Sequence, residues 1–276
     1  MSVHSSVKRR SVPELMAYKG HKKIVCLTAY IAPIARLIDP ALDLILVGDS
    51  TAMVGYGMRD TLSITLKQMA DHGAAVVGAT SQACIVIDMP FGSYQVSPQK
   101  AFENAAYLLA HSGANAVKIE GGVALADTTR FLVERGIPVL AHVGLMPQYV
   151  NTMGGFKAQG MDDAAAERIL ADALAHQEAG AFAVVIEGVA ESLGRRITEE
   201  LSIPTIGIGA SAECDGQVLV TEDILGLSGD RIPRFAKNFG DAASVIRDAA
   251  QTYATEVRGG TFPALEHCFG VKPKNK

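Results

Sequence analysis

The chain has 276 residues, with 25 Lys and Arg against 29 Asp and Glu, a net charge of −4 with both signs mixed throughout, and 49% hydrophobic residues. That length and apolar content suit a single (β/α)8 barrel with a large core, and the lack of a basic stripe argues against a nucleic-acid partner. No apolar run is long enough to span a membrane, and Cys26, Cys84, Cys214 and Cys268 form no CxxC pair, so no membrane partner and a reducing cytoplasm are expected.

The first twenty residues place Ser5, Ser6, Lys8, Arg9, Arg10 and Ser11 ahead of any acidic residue, a composition shared with organelle-targeting peptides. Pro13 followed by ELMAYK favours a flexible start running into a short N-terminal helix within 1–20. Eight short Val-, Ile- and Leu-rich runs then read as buried parallel strands: 24–29, 44–49, 84–88, 116–120, 138–143, 183–187, 204–209 and 217–221. Helical patterns separate them at 65–79, 98–112 and 162–179, the last opening on Asp162 and Asp163 and closing on Gly180. A further helix is expected at 241–258. The pattern predicts one barrel domain over 21–267, followed by a solvated basic tail at 268–276.

Two connections exceed a minimal strand-to-helix turn. STAMVGYGMRDTLSIT follows the second strand, and GLMPQYVNTMGGFKAQGMDD follows the fifth. Segments this long in a compact domain are either binding loops and lids or packed irregular structure.

Four strands end on groups that bind metals or move protons. Asp49, Asp88 and Glu120 make an oxygen-only set on the second, third and fourth strands, which suits Mg2+ better than zinc, since zinc favours His or Cys. Taken singly, each carboxylate could equally be an ion pair or a cap; together, at one barrel mouth, they point to a divalent metal. Lys118 lies two residues before Glu120 and shares its face of the strand. It could hold a substrate carboxylate, form a Schiff base, or neutralise the acidic set. Glu187, ending the sixth strand, is placed to act as a general base. His142, near the end of the fifth, either donates to a substrate oxygen or is a satisfied structural residue. The glycine-rich IGIGAS occupies the usual phosphate position of a barrel, where tight packing would also select glycine.

LVGDS, DTLSIT, IDMPFGSY, SPQKAFENAAYLL, GANAVKIEGG, AHVGLMPQ, GGFKAQG, AVVIEGV, IPTIGIGA, DGQVLV and IPRFAKNF together resemble the ketopantoate hydroxymethyltransferase family over about residues 22–267. The resemblance implies a (β/α)8 barrel of the phosphoenolpyruvate/pyruvate superfamily, a Mg2+ ion, 3-methyl-2-oxobutanoate as substrate and 5,10-methylenetetrahydrofolate as co-substrate. It further implies a place in pantothenate and coenzyme A synthesis and a homodecamer. Carried over by motif, Asp49 and Asp88 match metal ligands that also meet the substrate, and Glu120 matches a third acidic group at the metal. Ser50 and Lys118 match substrate contacts, and Glu187 matches the proton acceptor. The chain departs from the family pattern at Gly188 and Ala190, where Cys and Pro are common, at Ser211, where Gly is common, and at Ser63, where Pro is common. Two other readings are a different Mg2+-dependent 2-oxo acid lyase or mutase of the same superfamily, separated by a folate requirement, and a non-catalytic oxo-acid-binding barrel, separated by turnover.

Overall fold

Side-chain alternation along eight short strands divides the core into one cluster inside a barrel and two outside it. The computed structural model describes residues 8–229 and 232–270. The strands are β1 Ile24–Thr28, β2 Leu44–Val47, β3 Cys84–Asp88, β4 Ala116–Glu120, β5 Val139–Gly144, β6 Ala183–Glu187, β7 Thr205–Ile208 and β8 Gly216–Leu219. All pair in parallel, and β8 returns to β1 to close the barrel. The helices are α1 Val12–Met16, α2 Ala32–Ile38, α3 Thr51–Val54, α4 Leu66–Ala79, α5 Pro98–Ser112, α6 Ala126–Val133, α7 Val150–Met153, α8 Asp163–Glu178, α9 Glu191–Glu200, α10 Thr221–Ile224 and α11 Ala242–Arg258. Three of the expected helices begin one residue late because Thr65, Asp162 and Asp241 act as caps, accepting N–H bonds from Gln68, Ala165 and Ser244.

Inside the barrel, Ile24, Cys26, Leu44, Leu46, Cys84, Val86, Ala116, Leu140, Val185 and Ile206 form one apolar cluster. Ile45, Val47, Ile85, Ile87, Val117 and Ile119 face outward beneath α4 and α5, while Val143, Val184 and Ile186 face α8 and α9. Cys26 and Cys84 are thus small core residues.

The N-terminal segment is tied in more firmly than its composition suggests. Leu15 of α1 packs into the inner cluster. The Arg9 guanidinium donates to the carbonyls of Val77, Thr80 and Ala83 at 3.2, 2.6 and 2.8 Å, capping the C-terminal end of α4. Arg10 pairs with Asp43 at 3.2 Å. These basic residues therefore have structural partners, while the expected flexible start at 1–7 and the tail beyond 270 lie outside the described residues.

The chain divides into two compact units, 1–221 and 222–276. All eight strands belong to the first. In the second unit, α11 is followed by a turn at Leu265–His267, with the Phe262 ring against Tyr253 and His267. Among the described residues, no helix is long and apolar enough to cross a membrane.

Candidate active site

Parallel register converts strand-end residues into one cluster at the barrel mouth. Asp88 lies opposite Lys118, Glu120 opposite His142, and Gly144 opposite Glu187. The inward-facing rows are apolar through their first positions and become ionisable only at the last one or two, where water and ligands can reach them. Two glycines give this layer room. A Cβ on Gly48 would stand 2.8 Å from Ser50 Oγ, and Gly144, at φ +92°, would drive a Cβ to 2.4 Å from the Glu187 carbonyl.

The cluster forms a connected path. Lys118 Nζ lies 3.2 Å from Asp88 Oδ1, 3.8 Å from Glu120 Oε1 and 3.3 Å from His142 Nδ1. His142 stands between two carboxylates, with Nδ1 3.5 Å from Glu120 Oε1 and Nε2 3.3 Å from Glu187 Oε2. The Asp49 N–H donates to Asp88 Oδ2 at 3.0 Å, and Ser50 Oγ shares a 2.8 Å hydrogen bond with the Tyr30 hydroxyl. Asp49, Asp88, Lys118, Glu120, His142 and Glu187 thus form one linked set at this mouth, while Ser50 is held by Tyr30. His142 belongs to the cluster and is no isolated structural histidine.

Charge is unbalanced within it. Burial, followed by the neighbouring charges of Asp88 and Glu120, pushes the Asp49 carboxyl well above its usual range, and Lys118 and the Gln148 amide only partly oppose this. Burial also raises Asp88, against the pull of Lys118. Burial would raise Glu120 too, but His142, Lys118 and the Gln148 N–H outweigh it and hold that carboxyl low. Burial and the Lys118 charge would lower His142, yet Glu120 and Glu187 raise it to about 9, so it stands as an imidazolium at neutral pH. Lys118 is raised as well, because Asp88, Glu120 and Asp49 outweigh its burial. Lys118 is thus shared between Asp88 and Glu120 and His142 between Glu120 and Glu187, so four carboxylates stand against two cations, with Asp49 in none of these ion pairs. Asp88 Oδ1, Glu120 Oε1 and His142 Nε2 are buried without a well-formed hydrogen bond.

That residual charge fits a cation, though not as the sequence suggested. Among the described residues, no group of three or more His, Cys, Asp or Glu side chains is arranged to hold a metal. The expected set of three carboxylates does not converge, because Glu120 is turned toward Lys118, His142 and the Gln148 N–H. Mg2+ needs only one or two carboxylates, keeping water and substrate in its remaining positions, so the Asp49 and Asp88 pair suits it.

The segment after β5 is fastened at both ends. Gln148, which the sequence did not single out, donates to Asp49 Oδ2 through its side chain at 2.8 Å and to Glu120 Oε2 through its backbone at 2.9 Å. Farther on, Gln159 bridges in parallel to Val189, with its N–H on the Gly188 carbonyl at 2.7 Å. The departure at Ser211 is accommodated by a 2.9 Å bond from its hydroxyl to Glu191 Oε1.

Comparison with known proteins identifies the family and the fold. The profile of the ketopantoate hydroxymethyltransferase family matches residues 9–265. The 3-methyl-2-oxobutanoate hydroxymethyltransferase of Bordetella petrii is 59% identical over 274 residues, covering 99% of this chain and 100% of that one. The chain belongs to the ketopantoate hydroxymethyltransferase family. A second relative, 3-methyl-2-oxobutanoate hydroxymethyltransferase 1 of Pseudomonas aeruginosa, is 57% identical over 99% of this chain and 100% of its own. As a member of this family the chain is an enzyme, a hydroxymethyltransferase. The fold is shared more widely. Phosphoenolpyruvate phosphomutase from Streptomyces platensis subsp. rosaceus superposes with a TM-score of 0.61 at 15% identity, over 91% of this chain and 88% of that one. The 2,3-dimethylmalate lyase of the PEP mutase/isocitrate lyase superfamily gives 0.59 at 16%, over 96% and 89%. Phosphonopyruvate hydrolase, solved with oxalate and Mg2+, gives 0.59 at 12%, over 94% and 93%.

Proposed function

We propose that the mouth cluster transfers a hydroxymethyl group to 3-methyl-2-oxobutanoate, taking the carbon from 5,10-methylenetetrahydrofolate and producing 2-dehydropantoate for pantothenate synthesis. The observation that carries this reading is the division of the cluster. Asp49, which makes none of the ion pairs, is joined to Asp88, which shares Lys118 with Glu120, while a separate carboxylate, Glu187, is backed by His142. Asp49 and Asp88 would hold Mg2+, with Glu120 as the third acidic group beside it. When bound, Mg2+ supplies stabilisation of the negative charge that develops on the ketone oxygen as the neighbouring C–H is deprotonated.

Lys118 and Ser50 hold the substrate carboxylate, Lys118 by charge and Ser50 through a hydroxyl that Tyr30 orients. The Glu187 side chain, 16% exposed against 5% or less for Asp88, Lys118, Glu120 and His142, is the carboxylate most open to incoming substrate. It takes the C3 proton, and His142 at 3.3 Å steadies it while charged. Water adds to the folate methylene carbon as both of its bonds to folate nitrogen break, releasing tetrahydrofolate and a one-carbon unit at the oxidation level of formaldehyde. The carbanionic carbon bonds to that carbon, and the oxygen freed from its double bond takes a proton back, yielding 2-dehydropantoate.

The test is the purified protein with 3-methyl-2-oxobutanoate and 5,10-methylenetetrahydrofolate, with and without chelator. Turnover should disappear in excess chelator and return with Mg2+. Exchange of the substrate C3 hydrogen with deuterated water should need metal but no folate. Full turnover in chelator would sink the metal assignment, and exchange that requires folate would sink the order of steps.

A further inference from the structure

Gln148 sits in the turn after β5 with 4% of its surface exposed, and all four hydrogen-bonding positions of its side chain are used. Nε2 donates to Asp49 Oδ2 at 2.8 Å and to the Met89 carbonyl at 2.9 Å, while Oε1 accepts from the Tyr94 hydroxyl at 2.7 Å and from Gln95 Nε2 at 3.2 Å. One end of the amide meets acceptors and the other meets donors, so its orientation is forced; a flip would face like against like. The backbone N–H of the same residue donates to Glu120 Oε2, and the Tyr94 hydroxyl also lies 3.0 Å from both the N–H and the carbonyl of Glu120. A single side chain therefore joins the ends of β2 and β3 to the turn after β5, and its backbone reaches β4.

A buried amide contributes little net stability, since its bonds replace bonds to water. What it fixes is direction. We infer that Gln148 is a positioning residue for the reaction: by occupying one oxygen of Asp49, it presents the other to the cation and the 2-oxo acid, while its backbone fixes Glu120 beside them. This rests on the metal and substrate reading above. It predicts a loss in binding and not in proton transfer, because Gln148 contacts neither Glu187 nor the reacting carbon in that arrangement.

Isothermal titration of metal-free protein with Mg2+ in the presence of 3-methyl-2-oxobutanoate tests it alongside steady-state kinetics. Gln148→Met keeps the length and burial but removes the amide, and it keeps the backbone N–H to Glu120. It should bind Mg2+ and the oxo acid about tenfold to a hundredfold more weakly, with KM for the oxo acid raised and kcat at saturation nearly preserved. Tyr94→Phe removes the hydroxyl that sets the far end of the amide and should shift binding in the same direction by a smaller factor. It decides the matter alone if Gln148→Met does not fold. Binding equal to wild type in the folded variants, or a loss confined to kcat or melting temperature, would overturn the role of Gln148 and leave the proposed function standing. Failure of the wild-type protein itself to bind Mg2+ with the oxo acid would overturn both.

Discussion

At the N-terminal ends of the strands, Asp43 meets Arg10 and Lys22 at 3.2 and 2.8 Å, and Asp215 meets Lys19 at 2.9 Å. Asp215 also accepts from the N–H groups of Gly20 and Thr205 at 3.1 and 2.9 Å, and Asp39 accepts from those of Ser81, Gln82 and Ala83. At the C-terminal ends, Asp88, Glu120 and Glu187 share one lysine and one histidine, and Asp88 Oδ1, Glu120 Oε1 and His142 Nε2 lack a well-formed hydrogen bond. The same residue types are buried at both ends, so burial does not separate a structural carboxylate from a functional one. Satisfaction does. Where opposite charge and N–H donors meet every oxygen, the group fastens α1 and the strand starts together. Where they do not, buried polar atoms remain short of partners, and folding bears the cost.

The sharpest way to break this comparison is at Glu187. Glu187→Gln keeps the shape and removes the basicity, so folate-independent C3 exchange and turnover should fall together by about a hundredfold or more, with Mg2+ and oxo-acid binding retained. Unchanged exchange measured by NMR in deuterated water would move the base elsewhere, with His142 next in line.

A change at the other end should do the reverse. Asp215→Asn keeps the size but loses the charge that Lys19, Gly20 and Thr205 were arranged around, and should cost about 1–3 kcal/mol of stability by denaturant unfolding, with kcat unchanged. The sign of its pH dependence follows from the carboxyl being held below its usual value of 3.8: burial opposes this, but the Thr205 and Gly20 N–H groups and Lys19 outweigh it. Its contribution is therefore present above pH 3.8 and is lost as pH falls through the lowered folded value. The variant should show less acid destabilisation than wild type in that range. A kcat that collapsed with stability intact would place Asp215 in the chemistry and undo the contrast.

The smallest expected effect is the most diagnostic. In excess chelator, Asp49→Asn removes a buried negative charge from beside Asp88 and Glu120 and can still accept from Gln148, so it should leave the melting temperature unchanged or raise it by about 2–4 °C, equivalent to about 1 kcal/mol. Mg2+ with oxo acid should then raise the melting temperature of wild type and not of the variant. Destabilisation of the metal-free variant would mean that Asp49 is a satisfied structural group after all.

The sequence by itself determined the barrel and the charged groups that end its strands. Buried parallel strands need continuous Val, Ile and Leu, which made all eight visible, and any charge ending such a run had to be explained; Asp88, Lys118, Glu120 and Glu187 stood out for that reason. The helical patterns located α4, α8 and α11 to within a residue, α8 with the help of its capping residues. The helices Ala32–Ile38, Ala126–Val133 and Glu191–Glu200 were not separately legible, since short helices owe their existence to packing against the sheet more than to local signals. Partnership was decided only by the tertiary structure. Strand register set Glu120 opposite His142 and turned it away from a shared metal cage, and it brought Glu187 to the far nitrogen of the same ring. Gln148, in an unremarkable LMPQ turn, gained its place at Asp49 from a contact spanning 99 residues of chain. Hydrophobic period fixes which face a residue takes, but which polar atoms meet on that face depends on barrel closure and stagger, which no local stretch of sequence encodes.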